Sequence, residues 1–262
     1  MSLLRAMSTV AGMTAVSRVA GFARDILTAA ILGAGPVGDA FFVALKLPNF
    51  FRRVTAEGAF SVSFVPLYSE TLEKEGQERA DRFANNAFWI MSAILAVFSA
   101  LAIIFMPYVI MVIAPGFNDD PLRYSYGIDF ARITFPYLLL MSLTALLGGV
   151  LNAHSRFAPF AFAPVLFNLT LIAALLLSGH FETAGHALSY GILISGFLQL
   201  FLLLFIAVRS RAFKLAFKKP ELTDKIKRVF RLMGPGVIGA GVMHINLFAD
   251  LMIASFLPAG SI

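Results

Sequence analysis

The chain has no cysteine. A disulfide framework, a thiolate metal site and a thiol nucleophile are therefore excluded, though the absence says nothing of compartment. Its four histidines, His154, His180, His186 and His244, form no HExxH pair and none of the carboxylate spacings a metal triad needs. No phosphate loop, nucleophile elbow or dinucleotide fingerprint is present. Asp119 and Asp120 stand together, but Arg123 and Tyr124 follow where a metal-binding acidic motif would want another carboxylate. Charge is scarce too, at 14% of residues. What remains is apolar: 59% of residues are hydrophobic and the mean hydropathy is +0.82. These values exclude disorder and fit a soluble globule poorly. Nothing among these residues argues for an enzyme.

The apolar runs are long and unbroken, unlike the alternating ten-residue strands of a barrel. They predict an all-α fold, a polytopic membrane helical bundle. The segments expected run from about Met7 to Leu32, Asp39 to Tyr68, Phe83 to Ile113, Ile133 to Leu151, Phe160 to Leu177, Leu188 to Val208 and Leu232 to Leu257. GAGPVG reads as the first turn, the charged EKEGQERADR as a soluble connection, and APGFNDDP as the close of the third segment. Pro48 is expected to interrupt the second segment by removing an N–H and crowding the preceding turn. Gly148, Gly149, Gly234, Gly236, Gly239 and Gly241 read as places of close helix packing, and Asn152, Asn168 and Gln199 as interhelical hydrogen-bonding residues.

The formal charge is +6, and most of the excess sits in one stretch, RSRAFKLAFKKPELTDKIKRVFR. Its bases alternate with Phe213, Leu215, Phe217, Ile226 and Phe230, which suits an amphipathic stretch on anionic inner-leaflet lipids better than a nucleic-acid site. Three parts follow: a membrane lobe over 1–208, a basic cytoplasmic linker over 209–230, and a further helix in 231–262. Lys and Arg concentrate at the N-terminus and in the loops after the second, fourth and sixth segments, so the N-terminus is expected in the cytoplasm. The N-terminal residues are read as part of the mature chain, because Arg18 interrupts the apolar run a signal peptide would need.

The segment from Ser17 to Glu57 breaks the apolar rule. It carries Arg18, Arg24, Lys46, Arg52 and Arg53 against Asp25, Asp39 and Glu57. One charge at mid-bilayer costs roughly 2.5–3.5 kcal/mol, so eight facing lipid would cost on the order of 20 kcal/mol. They must face protein or water. Thr14, Ser17, Gly21, Arg24 and Thr28 share one helical stripe, with Arg18 and Asp25 beside it and Val16, Val19, Ala23, Ile26 and Leu27 opposite. Asp39, Lys46, Arg53 and Glu57 line up in the same way on the second helix. Five bases against three acids leave an excess that suits an anionic ligand better than a balanced structural network. Asp250, within HINLFADLMIASF, is a further acid deep in an apolar helix; it needs a proton, a cation or a basic partner.

The motifs SRVAGFARD, GDAFFVALKLPNFFRR, EGAFSVSFVP, APGF, ITFPYLLLMSLTALLGGVLNA and FAPVLFN resemble those of the MurJ (MviN) lipid II flippases, within the multidrug/oligosaccharidyl-lipid/polysaccharide exporter superfamily. The resemblance implies two helical lobes around a cationic cavity moving by alternating access, in the bacterial cytoplasmic (inner) membrane. It implies a polyprenyl-diphosphate-linked glycopeptide lipid as substrate. This chain would then hold the first six-helix lobe and one helix of the second, and would not transport without the missing second lobe. The family's functional charges match Arg18, Arg24, Arg52 and Asp39; Asp25, Arg53 and Glu57 sit in the same motifs. Arginine forks grip phosphate oxygens in pairs and stay charged. Asp39 is expected to hold an arginine between states, Pro48 to act as a hinge, and Asp250 to handle a coupling cation or proton. No bound cofactor is expected, only monovalent cation or proton coupling and the membrane potential. A flippase for another polyprenyl-diphosphate-linked oligosaccharide, or a cation-coupled drug exporter, is the alternative reading.

Overall fold

The computed structural model describes residues 3–52, 60–217 and 219–262, the side chains of 3–6, 238, 240–245 and 247 excepted. Those residues form an all-α bundle. In chain order the helices are α1 (Leu3–Leu32), α2 (Pro36–Arg52), α3 (Ser61–Glu75), α4 (Gln77–Ile104), α5 (Met106–Ile113), α6 (Pro121–Thr134), α7 (Tyr137–Ala153), α8 (Ala158–Leu176), α9 (Ala184–Arg209) and α10 (Asp224–Ser255). Among the described residues four stretches are long and apolar enough to cross a membrane: Gln77–Ile104, Pro121–Ala153, Ala158–Leu176 and Ala184–Arg209.

Glycine and proline set most of the boundaries. Gly33 (φ 67°) ends α1 in the left-handed region, and Pro36 opens α2 where its missing N–H costs nothing. Gly76 (φ 82°) separates α3 from α4. The charged EKEGQERADR is therefore no loop. It forms two helix ends, tied by Lys74 to Glu70 at 2.9 Å and Arg82 to Glu78 at 2.5 Å.

Two prolines behave differently, and the difference lies in what takes the carbonyl each one frees. Pro48 does not interrupt α2, which runs unbroken from Pro36 to Arg52. The carbonyl of Ala44, four residues earlier, receives the buried Thr134 hydroxyl from α6 at 3.3 Å, so no polar group is stranded. Pro107 does mark a break. The expected third segment splits into α4 and α5 at Phe105, and Arg132 Nε donates to the freed Ile103 carbonyl at 3.2 Å. The expected fourth segment is longer than its apolar run, because α6 and α7 together cover Pro121–Ala153 with their junction at Pro136.

Two cores stack along the bundle. One gathers Phe64, Tyr68, Phe83, Phe88, Leu147 and Phe213 between α3, α4, α7 and the chain after α9. The other gathers Phe41, Phe117, Phe130, Phe135, Leu188 and Leu251 between α2, α5, α6 and the start of α9. The helix α10 joins the first core near its start through Ile226 and Val229, and the second near its end through Leu251. Between those points Arg231, Leu232, Gly234, Pro235 and Gly236 are exposed. A Cβ added at Gly234 or Gly239 would meet nothing within 4 Å, so these two are not close-packing glycines against the described residues. Gly148 is one: a Cβ there would lie 2.4 Å from the Phe160 ring.

The basic stretch after Arg209 is not an amphipathic helix throughout. Over residues 210–217 it is an irregular strap, and α10 begins at Asp224, capped by Thr223, well before Leu232. The strap lies on α4. Asn85 donates to the Lys214 carbonyl and accepts from the Ala216 N–H, Trp89 Nε1 donates to the Ala216 carbonyl at 2.9 Å, and Asn86 brackets Glu221. Ala212, Phe213 and Ile226 are buried in the core, whereas Phe217 is 85% exposed.

Candidate functional site

The charged residues of α1 and α2 divide into two groups. On α1 the stripe Ser17, Gly21, Arg24 faces α8 rather than open space. Asn168 reaches into it, donating to the Ser17 carbonyl at 2.9 Å and accepting from Arg24 Nη1 at 2.9 Å. A Cβ at Gly21 would sit 3.4 Å from the Asn168 amide, so the small residue admits this contact. Arg24 also donates to Asp25 Oδ1 from Nε at 3.1 Å and from Nη2 at 2.6 Å, with its guanidinium 5.7 Å over the Phe167 ring. These contacts engage three of the five N–H groups a guanidinium carries, so a fork remains for an acceptor. Asp25 stays 66% exposed and Arg18 is exposed beside it.

On α2 the acid is elsewhere. Asp39, 2% exposed, accepts the Gly260 N–H at 2.8 Å and the Ile262 N–H at 3.0 Å. Its basic neighbour is Arg123 of α6 at 3.7 Å, not an arginine of its own segment. Arg123 is itself buried. Its Nε donates to Asp120 at 2.8 Å, Nη1 donates to the Leu257 carbonyl at 3.1 Å and lies 3.4 Å from that of Ser255, and its Cζ lies 5.1 Å over the Phe117 ring. Gly116 closes the same joint. Its N–H donates to Ser255 Oγ at 3.0 Å, and a Cβ there would fall 2.2 Å from the Ser255 carbonyl oxygen. The end of α10 is thus bolted to α2 and α6.

Asp120 explains why Arg123 is where it is. Its carboxylate caps α6, accepting the Leu122 and Arg123 N–H groups, with Pro121 in the first turn. Desolvation pushes this carboxyl up, but the hydrogen bonds from Arg123 and Leu122 more than offset it and hold it below the usual range. The pair Asp119–Asp120 is therefore a capping feature, and no group of three or more His, Asp or Glu residues able to hold a metal occurs among the described residues.

Farther along, Phe50 meets Phe248 edge to face at 4.3 Å, and Lys46 lies within electrostatic reach of Asp250. A basic neighbour for Asp250 is thus already present in this chain. Asp39 holds the chain beyond α10 through Gly260 and Ile262. Arg52 ends α2 half-buried, while Arg53 and Glu57 lie outside the described residues. A cavity of about 480 Å³ opens beside Asp25, Thr28 and Asp39 and is floored by Gly260 and Ile262.

Residues 28–262 match the family described as lipid II flippase MurJ. A probable lipid II flippase MurJ of Rhizobium meliloti is 42% identical over 260 residues, spanning 97% of this chain. The chain belongs to the MurJ family. The corresponding Rickettsia prowazekii protein is 37% identical over 98% of the chain, and the lipid II flippase MurJ of Burkholderia cenocepacia 35% identical over all of it. The chain spans about half of these relatives, 48%, 50% and 52% of their lengths. A solved MurJ in an inward closed conformation superposes with a TM-score of 0.77 at 28% identity, covering 96% of this chain and 51% of that one. An outward-facing multidrug resistance transporter of the MATE family and MOP superfamily shares the fold alone, with a TM-score of 0.74 at 12% identity over 93% of the chain and 54% of its own. The bundle is thus a multi-pass membrane protein of the MurJ fold.

Sequence reasoning misses Arg123, which it counts only as a loop base. The Asp120-Pro121 start is the available signal, because a capping acid before a proline fixes the next turn, and Arg123 with it. Asn168 is expected to bond between helices and does. Gln199 is too, but it donates to Ser195 of its own helix at 3.0 Å.

Proposed function

We propose that the chain forms the first lobe of a lipid II flippase of the bacterial cytoplasmic membrane, with residues 231–262 opening the second lobe. The substrate is a polyprenyl-diphosphate-linked glycopeptide, and Arg18, Arg24 and Arg52 supply positive charge to its diphosphate. The observation that carries this reading is Arg24, a half-buried guanidinium oriented by Asn168 and Asp25 with donors to spare. A diphosphate cannot cross hydrocarbon unaided, since exposing its charge there is prohibitive. A preoriented arginine fork replaces part of its hydration.

The contacts at the end of α10 support a reading by alternating access. Asp39 and Arg123 grip one end through backbone groups, a contact that can break without stranding a side chain on α10. The exposed stretch of α10 from Gly234 to Gly236 leaves room for a headgroup between the lobes. In this reading the Asp39 end is closed while the opposite end is open to the N-terminal side, which the distribution of basic residues places in the cytoplasm. The exposed Phe217 and the bases around it rest on anionic inner-leaflet lipids. The test is export of lipid II to the outer leaflet in cells depleted of the full-length protein and supplied with Arg18→Ala, Arg24→Ala or Arg52→Ala. Each variant is expected to insert and not export; export at the unsubstituted level by all three would reject the cationic cavity.

A further inference from the structure

Where α10 begins, a cluster with no part in the diphosphate site ties α4 and α7 to the strap. His154, at the end of α7, has Nδ1 2.9 Å from the Val150 carbonyl and Nε2 2.9 Å from Gln77 Oε1. Gln77 Nε2 lies 2.9 Å from Asp81 Oδ1 and 3.4 Å from the Ala212 carbonyl. Asp81 also accepts the Lys214 N–H, and the Tyr68 hydroxyl donates to the Ala212 carbonyl at 3.3 Å. The titratable groups facing one another here are Tyr68 from α3, Asp81 from α4, His154 from α7 and Lys214 from the strap.

Counting donors gives a definite result. A carbonyl only accepts, so Nδ1 of His154 must carry hydrogen. With Gln77 as placed, its Oε1 also only accepts, so Nε2 must carry hydrogen too; the imidazole is then cationic beside an ionised Asp81. Turning the Gln77 amide over lets its NH2 donate to a bare Nε2. Its oxygen then faces Asp81, which must be protonated to donate to it. A neutral His154 with an ionised Asp81 sets acceptor against acceptor at 2.9 Å in either orientation, so the conclusion does not depend on how the amide is drawn.

We propose that His154, Gln77 and Asp81 bind one proton as a unit, and that this proton holds the strap leading into α10 against α4. The proton belongs to the cluster rather than to either titrating side chain. When it leaves, one contact must open, and the nearest breakable attachments are those of Ala212 and Lys214 in the strap. The sign follows: the strap is docked at low pH and loosens as pH rises through the titration of the cluster.

The absence of cysteine makes the test clean. In membranes carrying the full-length protein, Ala212→Cys places a thiol at a position of the strap that is 1% exposed, and Phe217→Cys gives an exposed control that corrects for thiol ionisation. The ratio of their maleimide labelling rates is expected to rise roughly tenfold between about pH 5 and about pH 9. Asp81→Asn should make the ratio low and flat, because an asparagine there can donate to Gln77 without an added proton. Hydrogen exchange at the Lys214 and Ala216 amides gives the same readout without cysteine, should Ala212→Cys misfold. A flat response in the protein with Asp81 intact, or a pH step that survives Asp81→Asn, overturns the proposal.

Discussion

Asp39 and Arg123 lie 3.7 Å apart where α2 and α6 begin, and both spend their other hydrogen bonds largely on the end of α10. The carboxylate takes backbone N–H groups and the guanidinium takes backbone carbonyls. The Asp39–Arg123 pair therefore reads the path of the backbone, and the Gly116 N–H adds one side-chain contact through Ser255 Oγ. Removing Arg123 leaves the buried Asp39 without its basic neighbour, which costs several kcal/mol, whereas Arg123 keeps Asp120 at 2.8 Å when Asp39 is lost.

The first prediction concerns this joint. Asp39→Ala removes the acceptor of the Gly260 and Ile262 N–H groups. Hydrogen bonds to a charged group contribute about 1.5–3 kcal/mol, so exchange at those two amides should accelerate on the order of tenfold to hundredfold. Mass-spectrometric exchange on the membrane-embedded protein reads this directly. Unchanged protection at both amides would mean that Asp39 does not fasten α10.

The second prediction separates packing from hinging at Pro48. Thr134→Val leaves the Ala44 carbonyl buried without its donor and should cost about 1–3 kcal/mol in unfolding experiments. Pro48→Ala restores an N–H to that carbonyl, so the double variant should regain most of the loss. If Pro48 is also a hinge, Pro48→Ala alone should lower transport at normal abundance. A double variant as unstable as Thr134→Val would show that the carbonyl is not the reason.

Much of the fold was legible in the sequence because membrane insertion makes apolar length nearly decisive. The turn at Gly33 and the interhelical role of Asn168 followed from local chemistry, whereas the break near Pro107 did not announce itself within an unbroken apolar run. What escaped depended on a partner distant in the chain. Pro48 looked like an interruption because Thr134, which occupies its freed carbonyl, is on another helix. Asp39 is expected to hold an arginine, but which one was not legible, because Arg123 reaches it from another helix. The packing of the strap on α4 escaped too, because alternating Phe and Lys cannot say which aromatic enters the core; Phe213 does and Phe217 does not.

The third prediction concerns Asp250. We propose that it handles a coupling cation or proton during the cycle, with Lys46 the basic residue within its electrostatic reach. In the full-length protein Asp250→Asn should abolish the dependence of transport on an ion gradient, while Lys46→Met should retain it. Transport measured with and without the gradient decides, and an unchanged dependence in Asp250→Asn removes the residue from any coupling role.

The central claim is that Arg24 serves a ligand and not merely Asp25. Asp25 is 66% exposed, so deleting its partner strands no buried acid. The decisive measurement compares Arg24→Ala with Arg24→Ala combined with Asp25→Asn in the full-length protein, scoring membrane abundance and lipid II at the outer leaflet together. The account predicts normal abundance and no export in both. Abundance lost in the single variant and regained with export in the double would contradict it, leaving Arg24 a structural residue.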